Sequence, residues 1–299
     1  AARGGSRPAR PARRQQPSAP VLPADDDSGD FCGLLKHDVR RVRLGFNRFK
    51  RPVLDYDNRL FLCVTPKAGI TKMEEVFMRY YKSVHPLDPA QPDKDEKHGS
   101  LYHRSVAANR DNFSTTYGEG RNKYLPSSFT DARLQASGPW KRVFVFRNPV
   151  DRFISLWRDK FTEKCVRYSW ISQAFHKKEN EFNLTTLLSR LGAWVTEPTA
   201  HQDPHIWPQT AYCEVDTVHY DDTAEIEDYP QLVRVLGPYW GTKMENFDNY
   251  TKHATRHNTS LDSRLEIERA LWKYREQFMS VYWDDVKFWC GSGRKLVVA

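Results

Sequence analysis

Uninterrupted apolar runs alternate along this chain with stretches of helical periodicity. Leu60-Phe61-Leu62-Cys63-Val64 and Val143-Phe144-Val145-Phe146 are β-branched and aromatic, and each predicts a buried strand. The first runs through Thr65-Pro66-Lys67-Ala68-Gly69 into a helix with Ile70, Met73, Phe77 and Tyr80 on one face. The second reaches Arg147 and then Pro149, which suits the first helical turn because its missing N–H costs nothing there. Ile154, Trp157 and Phe161 follow at helical spacing, with Arg152, Arg158 and Lys160 between them. Leu184, Leu187, Leu188 and Leu191 mark a further helix. Residues 215–220 predict a short strand, and 224–237 a helix stopped by Gly237-Pro238. Residues 261–282 predict a long helix with Leu261, Leu265, Leu271, Tyr274, Phe278 and Tyr282 as its core stripe. Pro204 and Pro208 speak against regular helix across 201–213. Residues 83–139, rich in Pro, Gly, Ser, His and charge, predict loops and short helices. Strands that alternate with helices define an α/β fold with a parallel sheet.

Both strand–turn–helix units carry cations where the strand ends, the edge at which open α/β sheets bind ligands. A loop with Gly and Lys running into a helix aims backbone N–H groups and a helix N-terminus at an anion. It is not a Walker loop, since GxxxxGK[ST] is absent. On pattern alone an ordinary βα unit with a solvated basic face fits as well.

The two stretches together resemble the nucleotide-binding halves of sulfotransferases. Residues 65–71, TPKAGIT, look like the 5′-phosphosulfate loop of that family. Arg147-Asn148-Pro149-Val150-Asp151-Arg152-Phe153-Ile154-Ser155 looks like its 3′-phosphate motif, R-x-P-x-x-R-x-x-S. The nearest likeness is to the Golgi carbohydrate sulfotransferases, the group that includes chondroitin and dermatan sulfotransferases. Residues 205–213 resemble a His/Pro-Gln segment ahead of a cysteine, and 282–288 resemble the ending of the family's last helix. The likeness covers roughly residues 58–290. It implies one α/β domain, a P-loop-like parallel sheet flanked by helices with long loops over the site.

The resemblance also implies the chemistry. The donor is PAPS, and no metal is expected. Arg147 and Ser155 match the residues that hold the 3′-phosphate, a task suited to a bidentate guanidinium and a hydroxyl; Arg152 belongs to the same motif but is equally a surface-type arginine. Thr65, Pro66, Lys67, Ala68, Gly69, Ile70 and Thr71 would surround the 5′ end. Lys67 would neutralise the leaving phosphate, and stabilising developing charge is usually the largest catalytic term. His205 is the expected general base, with His103 as alternative and His201 behind it. Trp207 and Gln209 are expected to hold the sugar, and Tyr168 and Trp170 are candidates for stacking on adenine. The acceptor is expected to be a glycan of a proteoglycan or glycoprotein, not a nucleic acid.

Composition adds compartment and partners. The net charge of +8 points to anionic partners. Residues 1–30 are Pro/Ala/Arg-rich and then acidic, unable to bury much apolar surface, and predict a disordered stem ahead of a catalytic domain at 31–299. No stretch approaches about 20 apolar residues, the length of a membrane span. The chain begins with Ala rather than Met, so a membrane anchor is expected upstream of it. Four of the eleven asparagines (Asn112, Asn183, Asn249 and Asn258) stand in N-x-S/T sequons, where chance gives roughly one or two. With the family likeness, that excess predicts a glycosylated type II protein in the Golgi lumen. Cys32, Cys63, Cys165, Cys213 and Cys290 then allow two disulfides and one thiol. Cys63, in a core strand, is expected to be the free thiol. Cys165–Cys213 and Cys32–Cys290 are expected as the bridges, although spacing does not fix connectivity. Two other classes stay open on sequence: another P-loop-like nucleotide enzyme such as a kinase, and a non-catalytic binder of anionic glycan or nucleic acid.

Overall fold

A computed structural model describes residues 29–42, 53–55, 57–84, 139–161, 183–196, 205–241, 244 and 264–298. Its centre is a four-stranded sheet in the order β1 (Val53–Asp55), β2 (Leu60–Val64), β3 (Lys141–Phe146), β4 (Asp222–Glu225). β2, β3 and β4 are parallel, and β1 is an antiparallel edge. The hairpin turn into β2 is built on Asp55. Its carboxylate accepts from the Asn58 amide N–H and side chain and from the Trp240 indole N–H at 3.0 Å.

The strands alternate their apolar residues between two faces, so both must be covered. Leu60, Leu62, Val64, Val143, Val145 and Ala224 pack against α1 (Ile70–Val84) and α6 (Tyr229–Trp240). Phe61, Cys63, Phe144 and Phe146 face the larger cluster, formed by α2 (Pro149–Lys160), α3 (Leu184–Ser189), α4 (Leu191–Val195), α5 (Gln209–Tyr212), α7 (Arg264–Lys273) and α8 (Arg275–Gly291). The result is a three-layer α/β/α domain with a parallel three-stranded core. Asn148 caps α2, its Oδ1 accepting from the Val150 and Asp151 N–H groups, and Pro149 occupies the first turn.

Four expectations are corrected. Residues 215–220 form turns instead of a strand: Glu214 has a left-handed φ of 51°, and the Thr217 and Val218 N–H groups bond back to its carbonyl. Pairing with β3 begins only at Asp221, whose N–H reaches Arg142. The helix placed at 224–237 starts later, at Tyr229 behind an Asp228 cap, and runs past Pro238 to Trp240, which is buried and bonded to Asp55. The helix placed at 261–282 is two helices broken at Tyr274, and the second continues to Gly291. Pro208 does not prevent helix in its segment; it precedes one, α5.

The disulfides need a correction too. Cys32 is joined to Cys290. Cys213, however, bonds to Cys63, with Cα atoms 5.9 Å apart, and not to Cys165, which lies outside the described residues. Burial in a strand did not isolate Cys63, because the end of α5 packs on that same face of β2. The bridge ties the strand beneath the 65–69 loop to the segment carrying His205 and Gln209.

Candidate active site

The site is assembled where β2, β3 and β4 end. Between β2 and α1, Lys67 (φ 66°) and Gly69 (φ 84°) are both left-handed. Such reversals make successive N–H groups converge, and the first N–H groups of α1 have no intrahelical partner. Gly69 is required twice over: besides its φ, a Cβ there would stand 2.6 Å from the Ile226 side chain. Thr65 is fully buried, and its Oγ1 has no hydrogen-bond partner among the described residues. The Ala68 N–H is spent on the Thr65 carbonyl at 3.0 Å, so the orphan Thr65 hydroxyl and the first N–H groups of α1 are what suit an anionic oxygen. Of Ile70 and Thr71 only the backbone is described, at the start of α1.

Arg147 closes the second edge. Its Nη1 donates to the Lys67 carbonyl at 3.1 Å and its Nε to Glu227 at 2.5 Å. Its main chain is held from both sides by one side chain: Gln209 Oε1 accepts from the Arg147 N–H, and Gln209 Nε2 donates to the Arg147 carbonyl, each at 2.8 Å. Lys67 Nζ is ion-paired with Asp159 of α2, which also takes Lys160 at 3.2 Å. Burial pushes the Asp159 carboxyl up, but the hydrogen bonds and charges of Lys67 and Lys160 outweigh it and hold the group below the ordinary carboxylate value.

Arg152 is not the surface-type residue its sequence context allows. It is 2% exposed. Its Nε donates to the Pro66 carbonyl and its Nη2 to the His205 carbonyl, both at 3.0 Å. It therefore braces the 65–69 loop and the 205–210 segment against each other, its guanidinium turned to their carbonyls. Burial lowers its pKa, with the Tyr282 and Asp285 groups acting in the opposite direction. Asp285 is its buried counter-charge. The Asp285 carboxylate accepts from the Gln209 and Thr210 N–H groups and from the Thr210 hydroxyl at 2.7–2.9 Å. Burial raises its pKa, against the pull of Arg152 and these bonds. Tyr282, one turn earlier, donates its hydroxyl to the Ile206 carbonyl at 2.9 Å. The 282–288 likeness thus has a physical role: α8 holds the 205–210 segment in place.

Ser155 lies on α2 three residues after Arg152 and four before Asp159, hence on the face that meets the 65–69 loop; it is half-buried. The structure brings together Thr65, Pro66, Lys67, Ala68, Gly69, Arg147, Arg152 and the backbone of His205. It removes Trp207 and Gln209 from the expected sugar contact: they are 3% and 2% exposed, Trp207 in the core and Gln209 spent on Arg147. Asn183 caps α3 through its Oδ1. His103, His201, Asn112, Asn249, Asn258, Tyr168 and Trp170 lie outside the described residues.

Asp159, Glu227 and Asp285 were not singled out from the sequence. For Asp285 there was a signal: it shares the apolar stripe of Phe278, Tyr282 and Trp289, and a carboxylate there needs partners. Glu227 carries no such mark.

Comparison with known proteins agrees with this geometry. Residues 50–280 match the profile described as the sulfotransferase family. The chain belongs to that family, and its chemistry is sulfotransfer. It is 24% identical over 284 residues to carbohydrate sulfotransferase 11 of Rattus norvegicus, covering 86% of this chain and 72% of that protein. No solved structure matches it.

Proposed function

We propose that the protein transfers a sulfuryl group from PAPS to a hydroxyl of a glycan and releases PAP. The observation that carries the proposal is the linked pair of cations at adjacent strand ends, Arg147 bonded to the Lys67 carbonyl. One nucleotide with a 3′-phosphate and an anhydride-linked 5′ end needs positive charge at just two such points. PAPS supplies the activated sulfuryl group. Arg147 and Ser155 would bind the 3′-phosphate; the amides of residues 69–71 and Lys67 would bind the 5′ end, the Ala68 N–H being held by the Thr65 carbonyl. As the S–O bond to the phosphate breaks, Lys67 faces the growing negative charge. As the new O–S bond forms, His205 takes the acceptor proton. Its backbone is already tied to that of Pro66 through one guanidinium. Transfer of this loose, in-line kind relies on positioning, which the Arg152 and Gln209 braces provide.

Two disulfides suit an oxidising compartment. With the sequons they support a Golgi-lumenal, glycosylated, membrane-anchored enzyme; the stem expected at residues 1–30 would end before Gly29, since Gly29 and Asp30 already pair with Val298 and Val297 of the catalytic domain.

Calorimetry with PAP, ATP and an unrelated oligonucleotide, followed by labelled-PAPS transfer to a set of desulfated glycans, tests the proposal. Selective PAP binding and label in a glycan are expected; preference for ATP or the oligonucleotide would replace the proposal with a kinase-type enzyme or a binder. Arg147→Ala should weaken PAP about tenfold to a hundredfold, the worth of a charge-assisted hydrogen bond of about 1.5–3 kcal/mol. Unchanged affinity in the folded variant would remove Arg147 from the donor site. His205→Asn should keep PAP affinity and lose about a hundredfold in turnover; wild-type turnover would move the base elsewhere.

A further inference from the structure

The Arg147–Glu227 pair is only half used. Glu227 Oε1 accepts from Arg147 Nε, and Arg147 Nη1 is engaged by the Lys67 carbonyl. Among the described residues no hydrogen bond or ion pair involves Glu227 Oε2 or Arg147 Nη2. Both side chains keep access to solvent, 42% for Glu227 and 26% for Arg147. One free acceptor thus stands beside one free donor, at the carboxyl ends of two adjacent parallel strands. The position of Glu227 is set by its surroundings. The Ile226 N–H bonds to the Phe146 carbonyl, Asp228 caps α6, and the Ile226 side chain packs over Gly69. A carboxylate next to a phosphate-binding guanidinium is unfavourable toward the phosphate itself. It needs a compensating donor on the ligand, and the hydroxyl vicinal to a ribose 3′-phosphate is such a donor. Carboxylates that accept from ribose hydroxyls are a recurrent solution in nucleotide sites.

We infer that Glu227 is a specificity-determining residue of the donor site, its Oε2 accepting the 2′-hydroxyl of the ribose whose 3′-phosphate Arg147 binds. The inference rests on the donor assignment above. The site would then read a 3′-phosphate with a free 2′-hydroxyl and reject the isomer that carries phosphate at the 2′ position, where two anions would meet.

The test is calorimetry of wild type, Glu227→Ala and Glu227→Gln with PAP, 2′-deoxy-PAP and adenosine 2′,5′-bisphosphate. In wild type, loss of the 2′-hydroxyl should weaken binding about tenfold or more, the effect of one hydrogen bond to a charged group, and the 2′,5′-isomer should bind more weakly than PAP. In Glu227→Ala, PAP and 2′-deoxy-PAP should bind alike, and the isomer should close much of its gap. Glu227→Gln keeps an acceptor but removes the charge, so it should retain part of the 2′-deoxy penalty while relaxing rejection of the isomer; it carries the test if the alanine variant does not fold. The same 2′-deoxy penalty in wild type and in both variants would overturn the inference and leave the donor assignment standing. Failure of wild type to bind PAP at all would overturn both.

Discussion

Lys67→Ala will slow turnover at saturating PAPS by about 10²–10³, the usual cost of losing one donor aimed at developing charge. PAP affinity will change much less. The asymmetry follows from when the charge appears. In the proposed transfer the 5′ phosphate gains negative charge as its bond to sulfur breaks, so the ammonium would interact most strongly in the transition state, and such a group acts on turnover more than on binding. The loop can dispense with the Lys67 side chain in the ground state, since it is shaped by the reversal at Gly69, by the Ala68-to-Thr65 hydrogen bond and by Arg152 at the Pro66 carbonyl. Lys67→Arg will recover little, because a planar fork cannot occupy the place of a compact ammonium beside Asp159. Single-turnover kinetics with PAP titration separates the two effects. Near-normal turnover, or a loss of affinity as large as the loss of rate, would end the catalytic assignment.

Arg152→Met will destabilise the domain by about 3–5 kcal/mol, the cost of removing one partner of a buried charged network. Methionine fills a similar volume, so the loss reports the guanidinium and not a cavity. Without it the carbonyls of Pro66 and His205 lose their donors and Asp285 loses its buried counter-charge. Arg152→Lys will recover only part, since a single ammonium does not reach two carbonyls in fixed directions as a guanidinium does. Denaturant unfolding is the measurement. A variant as stable as wild type that fails only to bind PAP would make Arg152 a ligand contact and not a brace.

The same residue shows how far the sequence could be read. Its motif was legible, because R-x-P-x-x-R-x-x-S places Arg147 at a strand end and Ser155 two turns into a helix. That Arg152 points inward was not, because the carbonyls it serves come from Pro66 and His205, 86 and 53 residues away. Strands β2 and β3 were legible because apolar runs buried on both faces leave a continuous mark. β4 was not: Asp222–Glu225 is short and polar, and only Ala224 of its residues is fully buried. Valines at 215 and 218 drew attention to the turns before it. Gln209 was legible as unusual but misassigned, since its partner is a main chain and a main chain has no sequence signature. Cys63 was misjudged for a related reason: an apolar strand hides which of its side chains meets a distant cysteine.

One bond sets a timetable for the making of the molecule. The bridge from Cys32 to Cys290 spans 258 residues, and beside it Asp30 pairs with Val297. At ribosomal speeds that separation is on the order of half a minute of synthesis. Throughout it the partner of Cys32 in the folded domain has yet to be made, and so has that of Asp30. Cys63 finds its partner sooner, after 150 residues, so the bridge under the 65–69 loop can form while the Cys32–Cys290 clasp is still open. The bridge beneath the 65–69 loop can thus precede the clasp that joins Cys32 to Cys290.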